Sequence, residues 1–136
     1  GFAGASNEGE AERCTEEHLV TGRPFTAIVC ANDRLAIGAI AALRRHSLRC
    51  PEDVSVTGFN DMPLADRLSP SLTTVRVEHF RPGVEATEIV VDMIEREGSE
   101  EPRQLVLPVE LVVRGSTRRA PRRNTDRKAE LSSKFA

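Results

Sequence analysis

Short, nearly unbroken apolar runs alternate along this chain with longer stretches whose apolar residues recur every three or four positions. Residues 25–31 and 54–59 are two such runs, and each predicts a buried strand, the first covered on both faces. Between them Leu35, Ala36, Ala39, Ile40 and Leu43 share one side of a predicted helix. Gly38 and Ala39 are small enough to let that helix lie close on a sheet. Asn32 or Asp33 supplies its cap, Arg44-Arg45-His46 suit its negative carboxyl end, and Pro51 forbids its continuation.

Upstream, Ser6 is placed to cap a helix whose first turn holds Glu8 and Glu10, with Ala11, Cys14 and His18 as its inner stripe; Thr21-Gly22-Arg23-Pro24 ends it. Downstream, Gly58 permits a tight turn or a close backbone approach at the end of the second strand. Residues 63–68 predict a short helix stopped by Pro70, and residues 72–75 alternate as a strand does. Pro82 is suited to start a helix running to about residue 97, with Val84, Val91 and Ile94 inward and Gly98-Ser99 breaking it. Residues 105–113 form a last strand, which Pro108 confines to an edge or a bend. Strands alternating with helices predict an α/β sandwich built on a parallel or mostly parallel sheet.

The 136 residues suit one domain or a piece of a larger one, and 39% hydrophobic with 29% charged residues is ordinary for a soluble globular protein. Five Phe, with neither Trp nor Tyr, argue against a stacking platform for single-stranded nucleic acid. No apolar run approaches the roughly 20 residues that cross a membrane. The amino terminus, which lacks Met, shows no export signal. Cys14, Cys30 and Cys50 are an odd set without CxxC spacing, which predicts reduced thiols in a cytoplasmic protein. Net charge is −2 but uneven. Seven basic residues against two acidic ones lie from Arg118 onward, leaving twelve basic and nineteen acidic residues before it, a net −7. Residues 118–136 therefore form a basic tail; its composition offers little to bury, so a solvated, disordered terminus is preferred over a nucleic-acid contact.

Two polar pairs carry the candidate chemistry. Asn32-Asp33 and Asn60-Asp61 each follow an apolar run directly, so both fall at the carboxyl ends of predicted strands, the edge at which open parallel sheets bind ligands. Each pair has a plainer reading, the first as a helix cap and the second as an Asx-type turn before Pro63. A cap uses one residue of a pair. The ligand-facing candidates are accordingly Asn32 and Asn60, whose amides both donate and accept, with Asp33, Asp61 and the loop residue His79 as further candidates. Phe80 beside it reads as core. An acid–base pair of Asp33 and Asp61, as in glycoside hydrolysis, lacks any accompanying motif, and His18, His46 and His79 are too scattered for a metal site. Neither an enzyme nor a cofactor is expected.

Taken in order, Pro24-Phe25-Thr26-Ala27-Ile28-Val29-Cys30-Ala31-Asn32-Asp33, Ala36-Ile37-Gly38-Ala39, Pro51-Glu52-Asp53-Val54-Ser55-Val56-Thr57-Gly58-Phe59-Asn60-Asp61-Met62-Pro63, Ser69-Pro70-Ser71-Leu72-Thr73-Thr74-Val75-Arg76 and Leu107-Pro108-Val109-Glu110-Leu111-Val112-Val113-Arg114-Gly115-Ser116-Thr117 resemble the sensor domain of the lac-repressor-type (LacI/GalR) family of bacterial transcriptional regulators. The resemblance spans about residues 2–117. It implies a type I periplasmic-binding-protein-like fold of two lobes around a ligand cleft, of which this chain holds mostly the second lobe. The first lobe is largely missing, as are the DNA-binding headpiece and hinge helix. It further implies that residues 72–75 cross to the first lobe, that the Pro82 helix packs there, and that residues 105–114 return.

By position Asn32 matches the family's cleft-lining Asn, and Asn60 stands where an acidic residue commonly hydrogen-bonds a sugar hydroxyl. Ser47 stands where Gly is usual. The implied partners are a sugar-like effector, DNA through the absent headpiece, and a second copy in a homodimer. A solute-binding protein of an ABC-type sugar transporter is the alternative on the same fold.

Overall fold

The computed structural model describes residues 7–95 and 104–120. In chain order these form α1 (Glu8–Val20), β1 (Ala27–Val29), α2 (Asp33–Arg45), β2 (Ser55–Thr57), β3 (Thr74–Val77), α3 (Phe80–Glu95) and β4 (Val109–Val112). Strands β1 and β2 are parallel in the register Ala27↔Ser55, Ile28↔Val56, Val29↔Thr57, with α2 as the crossover between them. Strands β3 and β4 form a separate antiparallel ribbon that includes Arg76↔Glu110. Single parallel bridges, Thr57↔Thr73 and Asn60↔Arg76, link the two layers.

The core lies between β1/β2 and α2, around Ala36, Ala39, Leu43, Val54, Val56 and Leu72. It covers one face of the sheet only. Ile28 packs on that core while Ala27 and Val29 face outward, Val29 being 84% exposed. The expected two-sided burial of the first strand is thus not met among the described residues, where α2 covers one face of β1 and β2.

Helix α1 packs on α2 rather than on the sheet. Its N-cap is Asn7, whose Oδ1 accepts the Glu10 N–H at 3.0 Å; Ser6, expected in that role, lies outside the described residues. The buried stripe is Ala11, Thr15 and Leu19, not Ala11, Cys14 and His18. The helix turns so that Gly38 meets its first turn: a Cβ there would lie 2.1 Å from the Glu8 carbonyl oxygen and 3.0 Å from the Ala11 Cβ. Gly38 therefore serves the helix–helix contact and not, as expected, the helix–sheet contact.

The end of α2 forms a Schellman motif. The Leu48 N–H donates to the Leu43 carbonyl (2.9 Å), the Ser47 N–H donates to Arg44 (3.1 Å), and Ser47 takes the left-handed φ of 57°. That conformation explains the family's preference for Gly at this position.

Three other expectations change. Residues 63–67 are turns, not a helix, since the positive φ of Leu64 (75°) breaks the helical run. Helix α3 starts at Phe80, two residues before Pro82. None of its residues is buried, so Val84, Val91 and Ile94 are not inward within this chain, and Phe80 is 81% exposed. The last strand is shorter than expected and begins just after Pro108. The break at Gly98-Ser99 and the tail beyond residue 120 lie outside the described residues.

Candidate functional site

The carboxyl ends of β1 and β2 are stitched together by backbone hydrogen bonds, from Cys30 N–H to the Thr57 carbonyl (2.9 Å) and from Asp33 N–H to the Phe59 carbonyl (3.0 Å). The two polar pairs therefore sit side by side, as their places in the strands predict.

Asn32 is the N-cap of α2, its Oδ1 accepting the Leu35 N–H at 2.9 Å. This leaves its amide NH2 as the group it can offer a ligand. Asp33 is 1% exposed and structural: Oδ1 accepts the Thr74 hydroxyl and Oδ2 accepts the Met62 N–H at 2.7 Å. Gly58 packs against this carboxylate, for a Cβ there would come within 2.1 Å of Asp33 Oδ1. The close approach expected at Gly58 is thus made to a side chain.

Asn60 and Asp61 both take positive φ, 106° and 52°. The Asn60 N–H donates to the Val75 carbonyl (2.8 Å), and its half-buried side-chain amide makes no hydrogen bond among the described residues. Asn60 therefore keeps a donor and an acceptor uncommitted among the described residues, at the strand end that adjoins the one carrying Asn32.

The Asp61 side chain, 10% exposed, lies between two guanidiniums, with Arg76 Nε at 2.7 Å from Oδ2 and Arg114 NH1 at 2.7 Å from Oδ1. The Arg114 hydrogen bond holds its carboxyl below the ordinary carboxylate range; burial pushes the other way, and Arg76 adds to the lowering. A carboxylate kept ionised in this way is a poor proton donor at neutral pH, which speaks against the acid–base pair. His79 lies exposed between β3 and α3. No group of three or more His, Cys, Asp or Glu among the described residues could hold a metal ion.

Sequence reasoning gave Arg76, Thr74, Arg114 and Ser116 no role. Ser116 is fully buried; its hydroxyl donates to the Val56 carbonyl (2.7 Å) and accepts the Thr73 N–H (2.8 Å), so the chain returning from β4 is tied to both layers. Arg76 does leave a trace in the sequence, as a lone cation inside an otherwise uncharged strand.

Residues 2–117 match the model of the periplasmic binding protein-like domain. The chain belongs to that domain family, in its LacI-type branch. It is 46% identical over 101 residues to the HTH-type transcriptional regulator MalR of Streptomyces coelicolor, covering 74% of this chain and 29% of that protein. Among solved structures it is similar to the transcriptional regulator CelR in complex with cellobiose, with TM-score 0.76, 32% identity, and coverage of 83% of this chain and 34% of that one. The lac repressor dimer bound to operator and the anti-inducer ONPF gives TM-score 0.70 and 31% identity, covering 82% and 38%. The chain thus spans about a third of the length of the curated relatives it matches. The fold is that of LacI-family sensor domains, of which this chain is a part. No helix among the described residues is long and apolar enough to cross a membrane.

Proposed function

We propose that this chain is the carboxyl-terminal part of the effector-sensing domain of a LacI-type transcriptional regulator, and that Asn32 and Asn60 line one wall of its ligand cleft. The observation that carries the reading is the side-chain amide of Asn60, which makes no hydrogen bond among the described residues, at a strand end adjoining the one that carries Asn32, whose amide hydrogens the helix cap does not use. Both groups are neutral. The Asp61 and Glu110 carboxylates are paired with Arg76 and Arg114, and the Asp33 carboxylate is turned inward to Thr74 and Met62. Such a wall suits an uncharged, hydroxyl-rich ligand, and a sugar is the first choice.

The neighbouring CelR complex with cellobiose supports that class. His79 and the exposed face of α3 belong, in this reading, to the opposite side of the cleft. In the whole protein, effector binding would alter the affinity of a DNA-binding headpiece in a cytoplasmic homodimer, a coupling between two sites.

The test is calorimetric titration of the protein expressed from its full reading frame with neutral mono- and disaccharides, cellobiose among them, and with their phosphorylated forms. The expected result is saturable binding of a neutral sugar, weakened roughly tenfold or more by Asn60→Ala through the loss of its paired hydrogen bonds. Tighter binding of the phosphorylated forms, or unchanged affinity in Asn60→Ala, would overturn this assignment.

A further inference from the structure

The charged cluster behind Asn60 does more than fill space. Asp61 comes from the loop after β2, Arg76 from β3, and Arg114 from the segment that follows β4, so one carboxylate holds both connections between the layers. Each guanidinium has a second anchor. Arg76 NH1 reaches Glu110 Oε2 across the ribbon at 2.9 Å, and Arg114 NH1 donates to the Leu72 carbonyl at 2.8 Å, where the chain leaves the first layer. The adjoining residue, Asn60, is hydrogen-bonded through its own backbone to β3. Two consecutive non-glycine residues at positive φ keep this loop in a conformation that few alternatives match.

We propose that Asp61 is a positioning residue that sets the angle between the β1/β2 layer and the β3/β4 ribbon, and through which occupancy at Asn60 moves that angle. Its effector end rests on the ligand reading above; its mechanical end does not. Because the carboxylate is shared, a shift of the Asn60–Asp61 loop pulls on both connections together. A pair to one strand alone would let the other lag. A surface ion pair ordinarily contributes little, but a nearly buried carboxylate gripped by two anchored guanidiniums restricts geometry as well as adding attraction.

The experiment is a spin-label distance measurement on the protein expressed from its full reading frame. Labels are carried on non-natural ketone side chains at position 20 in α1 and position 88 in α3, both exposed, which leaves the cysteines in place. The wild-type chain is expected to give one narrow distance distribution, and Asp61→Asn one roughly twice as broad while still fully folded by circular dichroism. Leu43→Ala is the control: it lowers stability by emptying part of the core beneath α2, but leaves the Asp61 loop and its ion pairs untouched and should leave the width unchanged. Equal broadening in Leu43→Ala, or none in Asp61→Asn, overturns the proposal.

Saturating cellobiose, or whichever neutral sugar binds, should shift the mean distance in wild type. In Asp61→Asn the shift should disappear at a sugar concentration that calorimetry shows to be saturating for that variant. A full shift in Asp61→Asn would also overturn the coupling. If no sugar binds either protein, the ligand reading falls, and the width comparison still decides the mechanical role.

Discussion

The hydroxyl of Thr74 donates a 2.5 Å hydrogen bond to the carboxylate of Asp33, a residue 41 positions away in the chain, and both side chains are fully buried. This bond fixes the first residue of β3 against the first turn of α2. The same carboxylate also holds the Met62 N–H, so the loop bearing Asn60 and Asp61 is clamped from beneath. The loop that presents Asn60 therefore keeps its internal shape and can shift only as a unit with the segments it is bonded to, and a loop ordered in advance loses less entropy when a ligand binds.

Asp33→Ala should therefore be costly. It orphans a buried hydroxyl and a backbone N–H, a loss of roughly 2–4 kcal/mol. Urea denaturation should show that loss, and calorimetry should show weaker binding of any sugar that Asn60 contacts. A stability change under about 0.5 kcal/mol would mean that neither bond matters.

Gly38→Ala tests the contact between the two amino-terminal helices. In an exposed helix Ala would stabilise relative to Gly. Here the new methyl meets the Glu8 carbonyl, a backbone atom that moves only if α1 moves. The expected outcome is destabilisation of about 1–3 kcal/mol, read from the urea midpoint.

Ser47→Gly should act in the opposite direction. The left-handed φ at the end of α2 strains any residue with a Cβ, and Ser47 is exposed, so little packing is lost. A gain of about 0.5–1 kcal/mol in thermal or urea unfolding is expected, after allowing for the greater freedom of Gly in the unfolded chain.

Asp61 makes a prediction about pH. Its folded-state pKa is depressed below the ordinary value of 3.8, so its ion pairs contribute stability above that value. The contribution is lost as pH falls through the folded pKa. Wild type should exceed Asp61→Asn in urea midpoint at pH 7, and the gap should close below about pH 4. A gap that stays constant down to pH 2.5 would show that the carboxylate is not held by its arginines.

Much of this molecule is legible without coordinates. Apolar runs ending in Asn-Asp place two strands and the edge at which they could hold a ligand, and the helical spacing between them supplies the crossover. The order of matching segments marks the family. All of these rest on local signals, since a strand's period, a helix's stripe and a cap depend on neighbours a few residues away.

The tertiary structure decided what those signals leave open. Whether Asn32 or Asp33 caps α2 depends on which one finds another partner, and Thr74 supplies it for Asp33. Whether α1 buries Cys14 or Thr15 depends on how it rotates to meet Gly38. The grip of Arg76 and Arg114 on Asp61 joins segments that share no periodicity. Hydrogen bonds across 41 or 44 positions, from Thr74 to Asp33 and from Thr73 to Thr117, leave no pattern in the chain, because folding alone brings their ends together.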